Sequence, residues 1–183
     1  MIEHGPNNPW NEDDLLEELG EGTDAANTAK KILDWAKENP RIIKDKDGKL
    51  IFGTGKENGT FSPKIFAPGT NSTKEERQIF TLNTVGGGKI HFIFKPGFIF
   101  DDDSGRHYGG GVYYDSIPPF NQGGSKRPEL EKRLNRFRLE EVNKKGMSLS
   151  LAIFQDEAKL TEFFEIMEWV INEVSKLHGK ETK

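Results

Sequence analysis

The chain contains no cysteine. That excludes a disulfide framework, a thiolate metal site and a cysteine nucleophile, and it is compatible with a reducing compartment. No apolar run approaches the roughly 18 residues that a membrane-spanning helix needs. The first residues, with Glu3, Pro6 and Pro9, lack the basic and apolar regions of a secretory signal. These absences together point to the cytoplasm.

Histidine is scarce and scattered: His4, His91, His107 and His178 form neither HxH nor HExxH, so no zinc site is read. There is no GxSxG elbow, and Ser148 and Ser150 read as ordinary strand residues. No pair of carboxylates is placed for acid–base work. No catalytic residue, metal ligand or cofactor is therefore assigned. An excess of positive charge is also missing. The formal net charge is −4, which argues against a dedicated nucleic-acid binder but leaves room for a local basic face.

What is present is enough for one domain. The 183 residues include 13 Phe and are 33% hydrophobic, so a core can be buried, and 31% charged, so the surface is well solvated. Residues 1–11 read as an extended Asn- and Pro-rich segment. Asn11 is placed to cap a helix over 12–19, and Asp24 to cap another over 25–38 whose apolar side is Ala25, Ala29, Ile32, Leu33 and Ala36. A β region follows. Its predicted strand pairs are 41–44 with 49–53 across Asp47-Gly48, 49–53 with 60–66 across Asn58-Gly59, and 76–84 with 89–95 across Gly86-Gly87-Gly88. In the last strand Ile90, Phe92 and Phe94 alternate with His91, Ile93 and Lys95, giving one wholly apolar face.

The segment 96–124 breaks the pattern with Gly-, Asp- and Pro-rich runs among aromatics, and its 96–117 part is expected to be mobile. Beyond it come a predicted helix at about 126–138, a short strand at 148–154 and a helix from Asp156 to about Leu177. In that last helix Leu160, Phe163, Phe164, Met167, Ile171 and Val174 share a stripe with Phe164 at its middle. The order predicts an α+β fold: an antiparallel sheet of four to five strands with helices packed mainly on one face. The domain is read as 12–178, with a frayed tail over 179–183.

Four features are candidates for function. Gly53-Thr54-Gly55-Lys56-Glu57-Asn58-Gly59 is reminiscent of a phosphate loop. However, Lys56 is not followed by Ser or Thr, and strands flank it on both sides, so a hairpin with glycines at positive φ is the simpler reading. Asp101-Asp102-Asp103 with His107 is either a hard-cation loop or a solvated acidic run. The segment 125–145 carries Lys126, Arg127, Lys132, Arg133, Arg136, Arg138, Lys144 and Lys145 against Glu129, Glu131, Glu140 and Glu141. Lys132, Arg133 and Arg136 are candidates to touch phosphates; the plain alternative is a solvated helix face salt-bridged to acidic neighbours. Trp169 falls opposite the apolar stripe of the last helix. It is either an interface anchor or a residue covered by a loop such as 96–124.

Ala29 to Pro40, Phe52 to Pro63 and Phe163 to Val174, taken with Leu33 and Trp35, Pro118-Pro119-Phe120, Leu134-Asn135 and Trp169, resemble a small bacterial α+β domain family of unknown function, sometimes fused in larger proteins. Thr60 stands where that pattern has Ser, and 96–117 is extra sequence before Pro-Pro-Phe. The resemblance implies a single domain and a binding or accessory role, and brings no activity with it. The expected function is a non-catalytic binding or regulatory module with a protein or nucleic-acid partner, through Lys132, Arg133, Arg136, Trp169 or Lys56. The alternative is a small-molecule binder or enzyme with its site near 53–63 and 101–115.

Overall fold

A computed structural model describes residues 4–68, 74–94, 114–137 and 146–178. The acidic run 101–103, His107, most of the segment expected to be mobile, and Arg138 to Lys145 lie outside the described residues. The fold is α+β, with a four-stranded antiparallel sheet and a separate two-stranded one.

Helix α1 (Glu12–Glu18) starts as its sequence predicts: the Asn11 side chain accepts from the Asp14 amide at 3.0 Å, and three acidic residues sit in the first turn. Helix α2 (Asp24–Glu38) is capped one residue earlier than expected. Thr23 Oγ1 accepts the Ala26 N–H at 3.2 Å, and Asp24 becomes the first helical residue. Ala29, Ile32, Leu33 and Ala36 are completely buried.

The β region departs further from its pattern. Asp47-Gly48 does make a turn, with Gly48 at φ +75° and Asp45 N–H donating to Lys49 O, but no strand forms on either side of it. The next pair is reduced to a bridge between Phe52 and Phe61 beside β1 (Thr60–Phe61). Pro63 has no N–H to donate, and the chain turns there into a separate hairpin, β2 (Lys64–Pro68) against β3 (Lys74–Gln78). The predicted strand 76–84 is broken at Ile79-Phe80, where Ile79 N–H reaches back to Pro63 O. Both side chains are buried there, and β4 (Thr81–Asn83) begins after them.

Strand β5 (Lys89–Ile93) returns from β4 through a tight turn in which Gly86, Gly87 and Gly88 have φ of +59°, +80° and +91°. These are backbone positions that side chains other than glycine's rarely tolerate. After α3 (Arg127–Leu134), strand β6 (Gly146–Ser150) closes the sheet in the order β1-β4-β5-β6. The chain then tightens into a 3-10 turn at Leu151–Gln155 rather than running on as a strand to 154. Helix α4 (Glu157–His178) follows.

The sheet has two unlike faces because strand side chains alternate. Leu82, Ile90, Phe92, Met147 and Leu149 occupy one face, all buried, and Phe163 of α4 packs on it, 6.4 Å from Phe92 and 5.3 Å from Phe80 between ring centroids. Thr81, Asn83, Lys89, His91, Ser148 and Ser150 occupy the other. On α4 the stripe is centred one residue from where the pattern put it. Phe163 is completely buried, whereas Phe164 is half-buried and stacks on Trp35 of α2 at 5.6 Å. Helices α2 and α4 are further joined through Glu168, whose Oε1 accepts from Trp35 Nε1 at 3.0 Å and from Asn39 Nδ2 at 2.5 Å.

Candidate functional site

Two features that looked unrelated in the sequence meet on the α3–α4 surface. The guanidinium of Arg133 lies 4.4 Å from the centre of the Trp169 ring, within reach of the ring's negative face. Phe120 meets the same indole edge-on at 5.3 Å. Phe120 belongs to the Pro118-Pro119-Phe120 run and is completely buried, so part of the 96–124 segment does cover Trp169. The cover is incomplete, and Trp169 stays half-buried.

The run that presents Phe120 is held by Arg127, itself only 8% exposed. This guanidinium donates to Phe120 O at 2.9 Å, to Asp115 at 3.0 Å and to Glu131 at 2.6 Å, and lies 4.3 Å over the Phe94 ring. A lysine has no planar fork with which to reproduce this set. Arg127 is thus a structural clamp, which a reading of 125–145 as one charged face did not anticipate.

The remaining cations of the helix are mostly matched. Arg133 donates to Glu129 at 2.7 Å, Arg136 to Glu162 at 2.8 Å, and Lys126 lies 3.3 Å from Glu173. The Arg133 hydrogen bond, above all, holds the Glu129 carboxyl below its ordinary pKa. Lys176, followed by Lys126, does the same for Glu173. Lys132 is exposed and makes no ion pair among the described residues.

Lys56 is exposed in the 53–59 loop, but the loop's glycines are not there for positive φ. Gly53 and Gly59 are there for close approach. A Cβ on Gly53 would lie 1.9 Å from Thr60 Oγ1, and one on Gly59 would lie 2.9 Å from the Trp10 ring. Trp10 docks against this loop, its indole N–H donating to Gly55 O at 2.7 Å and its backbone N–H to Gly53 O at 3.1 Å. His4 stacks on Trp10 at 3.8 Å. The glycine spacing accommodates an aromatic plug from the N-terminal segment, which the extended-segment reading of 1–11 did not foresee.

A polar array whose members the sequence pattern does not connect lies on the second face of the sheet. His91 is 1% exposed; its Nε2 is 2.7 Å from Asn83 Nδ2 and its Nδ1 is 2.7 Å from Ser148 Oγ. The network assigns the tautomer. Val85 N–H donates to Asn83 Oδ1 at 3.2 Å, which turns the Asn83 amide nitrogen toward His91. Neutral His91 therefore accepts at Nε2 and donates from Nδ1 to Ser148. Burial, helped by the charge of Lys89, pushes the His91 pKa down to about 3, so the ring is neutral at physiological pH. A serine that receives a proton from histidine is not activated as a nucleophile, because the ring's lone pair is already engaged by Asn83. Beside the array, a shallow recess is lined by Gln78, Thr81, His91, Ile93 and Tyr114. Its Tyr114 hydroxyl donates to Ile79 O at 2.6 Å, and burial raises its pKa.

No group of three or more His, Asp or Glu side chains converges as a metal site among the described residues, nor is any described helix long and apolar enough to cross a membrane. Neither protein-family models, nor characterised proteins, nor solved structures match this chain.

Proposed function

We propose that this chain is a non-catalytic binding module that engages a protein partner through the α3–α4 face, with Trp169 and Arg133 at its centre. The observation that carries this reading is the half-exposed stack of Arg133 on Trp169, braced from beneath by buried Phe120. Tryptophan and arginine dominate the energetics of protein interfaces, and a pre-ordered pair has less side-chain freedom to lose on binding. The ion pairs favour a protein over a nucleic acid. Lys126, Arg127, Arg133 and Arg136 are already matched by carboxylates, which phosphates would have to displace. We place the module in the cytoplasm and group it with the small bacterial α+β domains its motifs resemble.

The test is photo-cross-linking from position 132, at the rim of the stack, in cells that express the full chain. Protein adducts that disappear on Trp169→Ala support the reading. The opposite outcome is retention on duplex DNA or RNA that falls steeply with salt, with a log–log slope reduced by roughly three units in a Lys132→Ala, Arg133→Ala, Arg136→Ala triple variant. That result would assign this face to phosphates and sink the protein-partner reading.

A further inference from the structure

Asn58-Gly59 is the one Asn-Gly step in the sequence. Such a step is prone to cyclise, because glycine's backbone nitrogen is unhindered by a side chain. That nitrogen attacks the asparagine side-chain carbonyl carbon, the bond to the amide nitrogen breaks and ammonia leaves. Water then opens the five-membered imide at either carbonyl, leaving an aspartate or its iso-linked form. The reaction needs only water and a peptide plane free to turn the nitrogen toward the side chain.

The fold withholds that freedom. Gly59 N–H donates to Thr84 Oγ1 at 3.1 Å in a buried setting, and Thr84 N–H donates back to Gly59 O at 3.1 Å, so both peptide groups of Gly59 are held by one residue. The Trp10 ring and the Thr84 methyl group sit where a Cβ on Gly59 would be. Asn58 itself is half-buried.

We propose that Asn58 is a latent deamidation site, kept intact by the clamp of Thr84 and Trp10 on Gly59 and unmasked when the N-terminal plug leaves the loop. Conversion is one-way. It places a negative charge at position 58, and the iso-linked product adds a backbone carbon that breaks the register of Gly59 with Thr84. Loss of the plug thereby becomes permanent, and the loop records that it has opened.

Peptide mapping by mass spectrometry tests this after incubation of the full chain in mildly alkaline buffer, with circular dichroism to verify folding. The folded wild type should retain the amide at position 58 over a period in which the same chain in urea converts. Folded Thr84→Val, which keeps the shape and removes the hydroxyl acceptor, should convert several-fold faster than wild type. Asp47-Gly48, an exposed step elsewhere, loses water on cyclising and regains it on hydrolysis, so its isomerised product has unchanged mass and does not interfere. Equal rates for folded and urea-unfolded wild type overturn the proposal, as does a folded Thr84→Val protein that converts no faster than wild type. If Thr84→Val does not fold, the comparison of folded with unfolded wild type still decides.

Discussion

Arg133 lies 4.4 Å over the ring of Trp169, one residue from the short helix α3 and the other from the long helix α4. The contact brings a cation from the basic segment onto the one aromatic of α4 that falls outside its apolar stripe. At a half-exposed site such a stack contributes about 0.5–1 kcal/mol. Arg133→Ala should therefore lower stability by no more than about 1 kcal/mol in urea unfolding. Trp169→Ala should cost more, about 1–3 kcal/mol, because Phe120 loses its edge contact as well. A cost for Arg133→Ala as large as that for Trp169→Ala would show that the arginine is a structural joint and not a surface available to a partner.

The two adjacent phenylalanines of α4 should behave differently. Phe163 is completely buried among Phe80, Phe92 and Phe154, so Phe163→Ala should cost about 3–5 kcal/mol. Phe164 is half-buried on Trp35, and Phe164→Ala should cost about half as much. Chemical denaturation of the two variants checks the order; a larger loss at Phe164 would mean that α4 is rotated from the position described.

His91 should make stability depend on pH. Its folded pKa of about 3 lies below the ordinary value of 6.5, through burial first and Lys89 second. The unfolded chain therefore takes up a proton below about pH 6.5 while the folded chain does not. Stability is full above that pH and falls as pH drops through the window toward 3. Between pH 7.5 and 5 the linked loss is about 2 kcal/mol. Urea midpoints at those two pH values, for wild type and His91→Gln, should show that much less pH dependence in the variant. An identical pH dependence in both proteins would contradict the buried, neutral assignment.

Gly59→Ala tests the aromatic plug. The added methyl group would meet the Trp10 ring at 2.9 Å and the Thr84 methyl group at 3.1 Å, so the ring must shift, at a cost of about 1–3 kcal/mol. Tryptophan emission should move to the red as Trp10 gains solvent. Gly55→Ala, which meets only Asn58 O at 3.4 Å, should leave the emission unchanged. A silent Gly59→Ala would mean that Trp10 does not rest on this loop.

Much of the fold follows from local pattern alone. Asn11 caps α1, the 3.6-residue period of Ala29, Ile32, Leu33 and Ala36 sets the buried side of α2, and alternation through Ile90 and Phe92 sets the apolar face of β5. The three glycines between β4 and β5 announce a turn because only glycine adopts their φ angles readily. These features depend on residues a few positions apart, so their physics is written in the sequence itself.

Tertiary structure decided the rest, because it joins residues whose separation in the chain carries no period. Val85 orients Asn83, and with it the proton on His91, while Ser148 comes from a strand 57 residues beyond His91. Gly53 and Gly59 look like turn glycines until Thr60 and Trp10 are seen against them. The segment 125–145 reads either as a phosphate-contacting face or as a solvated face salt-bridged to acidic neighbours, yet the fold makes Arg127 a buried clamp and Arg133 the partner of a tryptophan. A net charge counts side chains without their neighbours; the Arg133–Glu129 pair within α3 follows from i,i+4 spacing, whereas only the fold shows that Lys126 and Arg136 meet carboxylates of α4 and Arg127 meets Asp115.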